Sequence, residues 1–405
     1  MFWIFAAIVV AGFVPVIISL VRTSRAMWQG TEPHDVPLLF VDTAMAVSPT
    51  VLSHPLPDGY RLSSLYFGAG LIDRTRTLDL GFPYEIMDDI PALGPAPADF
   101  ASLCAERAGD LVAEARATNK KLHVLWSGGI DSTTALAALL TALGNETDRL
   151  VVFMNAASRK EYPKFFKTHV KRLKTVQIKT VGAAFKDDAI VVTGEHGDQL
   201  FGSAKALEHS ISGIRRPWET ALPVLLAERL ASGPRADAVV AFLEPQLARA
   251  PVPLPDLFTC LWWLNYSMKW QAVSLRMYPS SGLNDVQLYC DRAAHFFQTI
   301  PFELWALSHA GEGVRDDWAT YKWPARDVIR DFTRDAHYAS TKEKVPSLKG
   351  LVPRRFHGSA VAIDMAGATH WQPRDQTLRE KRSSDGNRYR RRREDGLWND
   401  MSDGE

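Results

Sequence analysis

Leu122-His123-Val124-Leu125-Trp126-Ser127-Gly128-Gly129-Ile130-Asp131-Ser132 runs from a short apolar stretch into a glycine turn, and the Ala/Leu-rich run Thr134 to Leu143 follows directly. The order is that of a strand, a loop and a helix. The two glycines let the backbone turn sharply and approach a ligand, while the serine hydroxyls, exposed NH groups and helix dipole all favour an anion there. The stretch therefore reads as a phosphate-binding loop. Asp131 adds a carboxylate, which suits a phosphate site where a cation such as Mg²⁺ is shared. It is not a Walker loop, because the lysine of G-x-x-x-x-G-K-[ST] is missing.

Outward from this loop, Leu150 to Asn155, Thr175 to Ile178 and Ala189 to Thr193 are further short apolar runs, with helical or turn segments between them. Strands alternating with helices predict an α/β fold, a doubly wound and mostly parallel sheet with helices on both faces. In such sheets ligands bind beyond the carboxyl ends of the strands, where Ser127 and Gly194 would both lie. A helix is expected over Phe100 to Thr118, before the first strand. From Pro217 to about Asp335 the pattern turns helical, most clearly at Leu222 to Leu230 and Phe258 to Met277, so a helical subdomain is expected against the sheet. Residues 100–350 are read as one unit.

The S-G-G-x-D-S pattern at Ser127 to Ser132 resembles the pyrophosphatase loop of ATP-dependent adenylating enzymes. That group includes asparagine, GMP and NAD synthetases, argininosuccinate synthetase and several tRNA-modifying enzymes. The resemblance implies an adenine nucleotide α-hydrolase-like fold, ATP as co-substrate, and Ser127, Gly128, Gly129 and Ser132 around the β and γ phosphates. Gly194-Glu195-His196-Gly197-Asp198-Gln199-Leu200-Phe201-Gly202-Ser203 is similar to the G-E-G-x-D-E-x-F-G-G signature of the asparagine synthetase carboxyl-terminal domain. His196, Gln199 and Ser203 depart from it, but Glu195 and Asp198 remain. By this resemblance Asp198 and Asp131 hold Mg²⁺ across the mouth of the sheet. Glu195 lies near the attacking amine, where a carboxylate can take up its proton.

Lys322-Trp323-Pro324-Ala325-Arg326-Asp327 is similar in spacing to that family's K-x-x-L-R-E segment. Its lysine faces the reacting centre there, which implies that Lys322 stabilises charge developing on the α-phosphate. Weaker echoes of the family are Ser267-Met268 with Arg276, Pro279 and Asp285, and then Lys342, Lys344 and Pro346. The resemblance spans roughly Phe100 to Ser347. It implies a ligase that activates a small-molecule carboxylate as an acyl-adenylate, releases pyrophosphate, and lets an amine displace AMP. The family's glutaminase nucleophile, a cysteine after the initiator methionine, is replaced by Phe2, and no cysteine precedes Cys104. Nitrogen is therefore expected from ammonia, a separate glutaminase subunit, or an amine on the substrate. A tRNA- or nucleoside-modifying enzyme and a membrane-tethered nucleotide-binding protein are the alternatives.

The rest of the chain bounds these expectations. With 47 Lys+Arg against 46 Asp+Glu, no global field favours nucleic acid. Cys104, Cys260 and Cys290 are too few and too far apart for a disulfide framework or a C-x-x-C module. Phe2 to Val21 is 20 uncharged residues followed by Arg22 and Arg25, which predicts an anchor in residues 1–27 with the remaining chain on the cytoplasmic face. Residues 28–99, rich in Pro, Gly and Asp, read as an irregular lead-in with a few strands. Residues 351–405 read as a basic, disordered tail whose arginines, Arg388 and Arg390 to Arg393, would suit an anionic membrane surface more than RNA.

Overall fold

The computed structural model describes residues 37–48, 50–51, 54–95, 99–342, 359–364 and 369–373. The expected anchor, the arginine cluster, Lys344 and Pro346 lie outside the described residues. Among the described residues, no helix is long and apolar enough to cross a membrane.

Five strands form one all-parallel sheet in the spatial order Lys174–Gln177, Leu150–Met154, Leu122–Leu125, Ile190–Thr193, Ala293–His295. Every residue of Leu122–Leu125, Leu150–Met154 and Ile190–Thr193 is buried. Because successive side chains point to opposite faces, burial at every position means that both faces are covered. Helices flank the sheet, and Phe100–Ala117, Ile130–Leu143 and Trp323–Thr333 pack against one another. The architecture is thus α/β, consistent with a doubly wound sheet.

The chain builds outward from Leu122–Leu125 to one edge, then crosses back so that Ile190–Thr193 pairs on the other side of the first strand. That reversal opens a crevice between the carboxyl ends of these two strands. The sequence places its two strongest motifs immediately after them.

Four strands correspond to apolar runs legible in the sequence, and the fifth, Ala293–His295, does not. The helices Trp218–Leu230, Gly233–Leu247, Leu257–Met268 and Trp270–Leu275 are therefore inserted between the fourth and fifth strands. The single helix expected over Phe258 to Met277 is divided at Lys269. Asp256 caps the first of the pair, accepting from the Thr259 NH at 2.8 Å.

Where residues 28–99 are described, they contain both strand and helix. Leu38–Val41 is a strand and Asp58–Phe67 a helix packed on Gly233–Leu247. Arg74, fully buried, donates to Glu303 Oε2 at 2.5 Å and to the carbonyls of Asp88 and Asp89 at 2.8 and 3.1 Å. Its guanidinium also lies 4.5 Å from the Trp270 ring centre. The backbone NH groups of Ile72 and Arg74 donate to Met268 O and Ser267 O, each at 3.0 Å. This segment therefore braces the break between Leu257–Met268 and Trp270–Leu275.

The expected tail also needs correction. Ser359–Asp364 and Thr369–Pro373 form an antiparallel sheet with Leu38–Val41. Ala362 and Ile363 are fully buried in it, which gives this short apolar run a reason to rejoin the fold.

Candidate active site at the crevice between the first and fourth strands

Gly128 turns the loop at φ +86°, and a Cβ there would lie 2.5 Å from Ser158 O, so only glycine meets both demands. The loop hydroxyls bond to the loop itself. Ser127 Oγ and Ser132 Oγ are 2.8 Å apart, the Ser127 NH donates to Ser132 Oγ at 3.1 Å, and the Gly129 NH donates to Ser127 Oγ at 3.2 Å. Gly129 caps Ile130–Leu143, whose positive dipole end thus faces the crevice. Tyr338 OH donates to Gly128 O at 3.4 Å from outside the loop.

Beyond Ile190–Thr193, Gly194 abuts the start of the loop helix, and His196 adopts φ +70° before the short helix Gly197–Phe201. Gly197 leaves room for the Asp131 carboxyl group, since a Cβ there would sit 2.3 Å from Asp131 Cγ. Asp198 follows on the next residue. Lys322 then joins the two halves of the crevice. Its Nζ lies 2.5 Å from Asp131 Oδ2 and 2.8 Å from Asp198 Oδ1, and its side chain is 1% exposed.

Lys322 itself sits at φ +61° as the cap of Trp323–Thr333, with its NH donating to Gly313 O at 2.8 Å. Burial pushes its pKa down, but Asp131 and Asp198 together outweigh burial and hold it above the usual lysine value. The ammonium stays charged. Tyr321 OH donates to Asp198 Oδ1 at 3.3 Å.

Glu195 is buried and forms an ion pair with Arg276, which is 42% exposed. Burial raises the Glu195 pKa, and the arginine offsets only part of that effect. Glu195, Arg276, Asp131, Asp198 and Lys269 border a cavity of about 180 Å³.

The residues that depart from the asparagine synthetase signature have structural partners. Gln199 Nε2 donates to Asn265 Oδ1 at 3.1 Å, and Asn265 Nδ2 donates to Asp198 O at 3.0 Å and Gly202 O at 2.7 Å. The amide relay fixes the turn that carries Asp198. His196 Nε2 lies 3.0 Å from Ser274 Oγ and 3.3 Å from Trp270 O, and the carbonyl requires this nitrogen to be the donor. Burial holds the His196 pKa well below its usual value. Ser203 Oγ accepts from the Lys205 NH at 3.2 Å.

Behind them, His295 from the fifth strand lies 2.7 Å from Thr193 Oγ1 and 2.9 Å from Ser274 O. Burial lowers its pKa to about 4.

The structure thus brings together Asp131, Gly194, Glu195, Asp198 and Lys322, with Ser127, Gly128, Gly129 and Ser132 forming the adjoining loop. Of the weaker echoes, Arg276 reaches the crevice and Asp285 caps Val286–Arg292, while Lys342 pairs at 3.0 Å with Glu161, which packs against Gly128 of the loop. Asn265, Tyr321, His295 and Tyr338 carry no sequence motif. Asn265 is a lone amide in an apolar helix, and the others announce nothing locally.

No protein-family model matches the chain, and no curated protein matches it. Among the described residues, no group of three or more His, Cys, Asp and Glu side chains gathers to hold a metal. Two carboxylates that already reach one cationic centre nevertheless suit Mg²⁺, which commonly takes one or two protein carboxylates and completes its shell with water and substrate phosphate.

Proposed function

We propose that this chain is an ATP-dependent carbon-nitrogen ligase with an adenine nucleotide α-hydrolase-like, asparagine synthetase-like domain. It would activate a small carboxylic acid as an acyl-adenylate, release pyrophosphate, and pass the acyl group to ammonia or an amine. The observation that carries this reading is the convergence of Asp131, Asp198 and Lys322 at the switch point of a parallel sheet, beside Glu195. A glycine-serine loop opening a helix lies next to them. A purely structural ion-pair cluster would need neither a cavity nor a phosphate-type loop at that edge.

In this reading Ser127, Gly128, Gly129 and Ser132 bind the β and γ phosphates, the loop serines exchanging their mutual bonds for phosphate oxygens. Asp131 and Asp198 would hold Mg²⁺, which neutralises phosphate charge. The acid occupies the cavity bordered by Glu195 and Arg276. Lys322 places an ammonium where negative charge develops as the carboxylate attacks the α-phosphorus and pyrophosphate leaves. Glu195, with its raised pKa, takes up the proton lost by the amine as it attacks the acyl carbon, and AMP departs.

The test is ATP/pyrophosphate exchange across a panel of carboxylic acids, with AMP release measured when ammonia is added. Exchange should depend on one class of acid and disappear in Asp131→Ala. Exchange retained in that variant, or AMP release with neither acid nor amine present, overturns the assignment.

A further inference from the structure

The Lys322 ammonium already bridges Asp131 and Asp198, the two carboxylates proposed to share a metal. It approaches the two carboxylates at 2.5 and 2.8 Å, and its side chain is 1% exposed. An ammonium and a divalent cation cannot both occupy the space between two carboxylates at contact distance, because like charges repel strongly where water is scarce. The backbone of Lys322 is held in place. Its NH donates to Gly313 O at 2.8 Å, its carbonyl accepts from the Arg326 NH at 3.0 Å, and Arg326 Nε donates to Tyr321 O at 2.6 Å. The side chain is the part that can move, and the same two carboxylates line the adjoining 180 Å³ cavity.

We propose that Lys322 is a stand-in cation that keeps free divalent metal out of the Asp131/Asp198 pair, so that metal enters only together with a polyphosphate. Resting on the reading of these aspartates as the metal ligands, the inference adds a reason for metal and nucleotide to bind together. Metal alone must displace an ammonium already paired twice and leave it buried without a carboxylate. Metal arriving with a polyphosphate gives the displaced ammonium new anionic oxygens to meet. The lysine would then reach the phosphates at the moment the metal takes its place, which couples loading of the site to positioning of its cation.

The experiment is Mn²⁺ titration followed by electron paramagnetic resonance, on the full chain, without nucleotide or acid. Wild type is compared with Lys322→Met, Lys322→Gln and the double variant Lys322→Met/Asp198→Asn, with circular dichroism to establish folding. Methionine keeps most of the side-chain volume, and glutamine keeps a hydrogen-bonding head without charge. The expected result is free-metal binding at least about tenfold tighter in the neutral variants than in wild type, the factor that corresponds to about 1.4 kcal/mol. The gain should be lost in the double variant.

If the folded neutral variants bind Mn²⁺ no more tightly than wild type, the stand-in role is overturned while the ligase reading survives. If neither wild type nor the variants bind Mn²⁺ even with ATP added, the assignment of the aspartates falls and the inference falls with it. Should one neutral variant fail to fold, the other gives the answer.

Discussion

Replacing Arg276 by methionine isolates the electrostatics of Glu195. The carboxylate is buried, 6% exposed, and Arg276 is its ion-pair partner. Removing one member of a fully buried ion pair costs about 3–5 kcal/mol. Arg276 is 42% exposed, so solvent already screens part of the interaction, and about 2 kcal/mol is the appropriate expectation. That cost depends on pH. The Glu195 pKa lies above its ordinary value of 4.5, so its contribution to stability is complete below that value and is lost as pH rises through the folded-state pKa. Without Arg276 the folded-state pKa moves further up, and more stability is lost over the same rise. Urea unfolding followed by the fluorescence of the chain's 12 tryptophans, from pH 5 to pH 8, measures the difference. The penalty of Arg276→Met should be small at pH 5, reach about 2 kcal/mol at pH 8, and disappear in a Glu195→Gln background. A penalty independent of pH, or one that persists with Glu195→Gln, refutes the argument.

Gly197→Ala places a Cβ 2.3 Å from Asp131 Cγ and should reduce acid-dependent ATP/pyrophosphate exchange at least about tenfold, since small displacements of reacting groups are costly. Gly233→Ala, where a Cβ meets nothing within 4 Å, is the matched control and should leave exchange unchanged. Arg74→Met removes one side of a buried ion pair with Glu303 and should cost about 3–5 kcal/mol in urea unfolding. Replacing both residues, as Arg74→Met/Glu303→Leu, should recover part of that loss.

The parallel sheet was legible because its central strands are buried on both faces and so appear as continuous apolar runs. Leu122–Leu125, Leu150–Met154 and Ile190–Thr193 each do so. Lys174–Gln177 is an edge strand with exposed side chains and gives only a weak signal. Ala293–His295 is three residues long, with small side chains ahead of His295, and its pairing with Ile190–Thr193 makes it a strand. The same reason hides the sheet of Leu38–Val41, Ser359–Asp364 and Thr369–Pro373. Leu38–Val41 and Ser359–Asp364 are more than 300 residues apart, and no local pattern encodes pairing at that range. Arg74 was silent too, because an arginine in a Pro- and Asp-rich stretch ordinarily indicates surface, whereas here Glu303 and two carbonyls satisfy it.

The division within the site has a physical cause. In the proposed reading, groups on the loops after the first and fourth strands turn tightly beside a ligand, and that demand leaves glycines, serines and acids in fixed order. Groups that hold those loops from behind need only one donor at one place. Asn265 meets that need from the middle of Leu257–Met268, where its amide ties Asp198 O to Gly202 O. Arg276 neutralises Glu195 from the residue after Trp270–Leu275, and the break at Lys269 sets the direction of that helix. The brace at Ile72 and Arg74 fixes the break in turn. The inserted helices and the 28–99 segment therefore determine the charge and the shape of the cavity proposed to take the acid, whereas the sheet positions the loop proposed to take the phosphates. Changes in substrate class should accordingly come from substitutions in the helices and their brace, with Ser127 to Ser132 left intact.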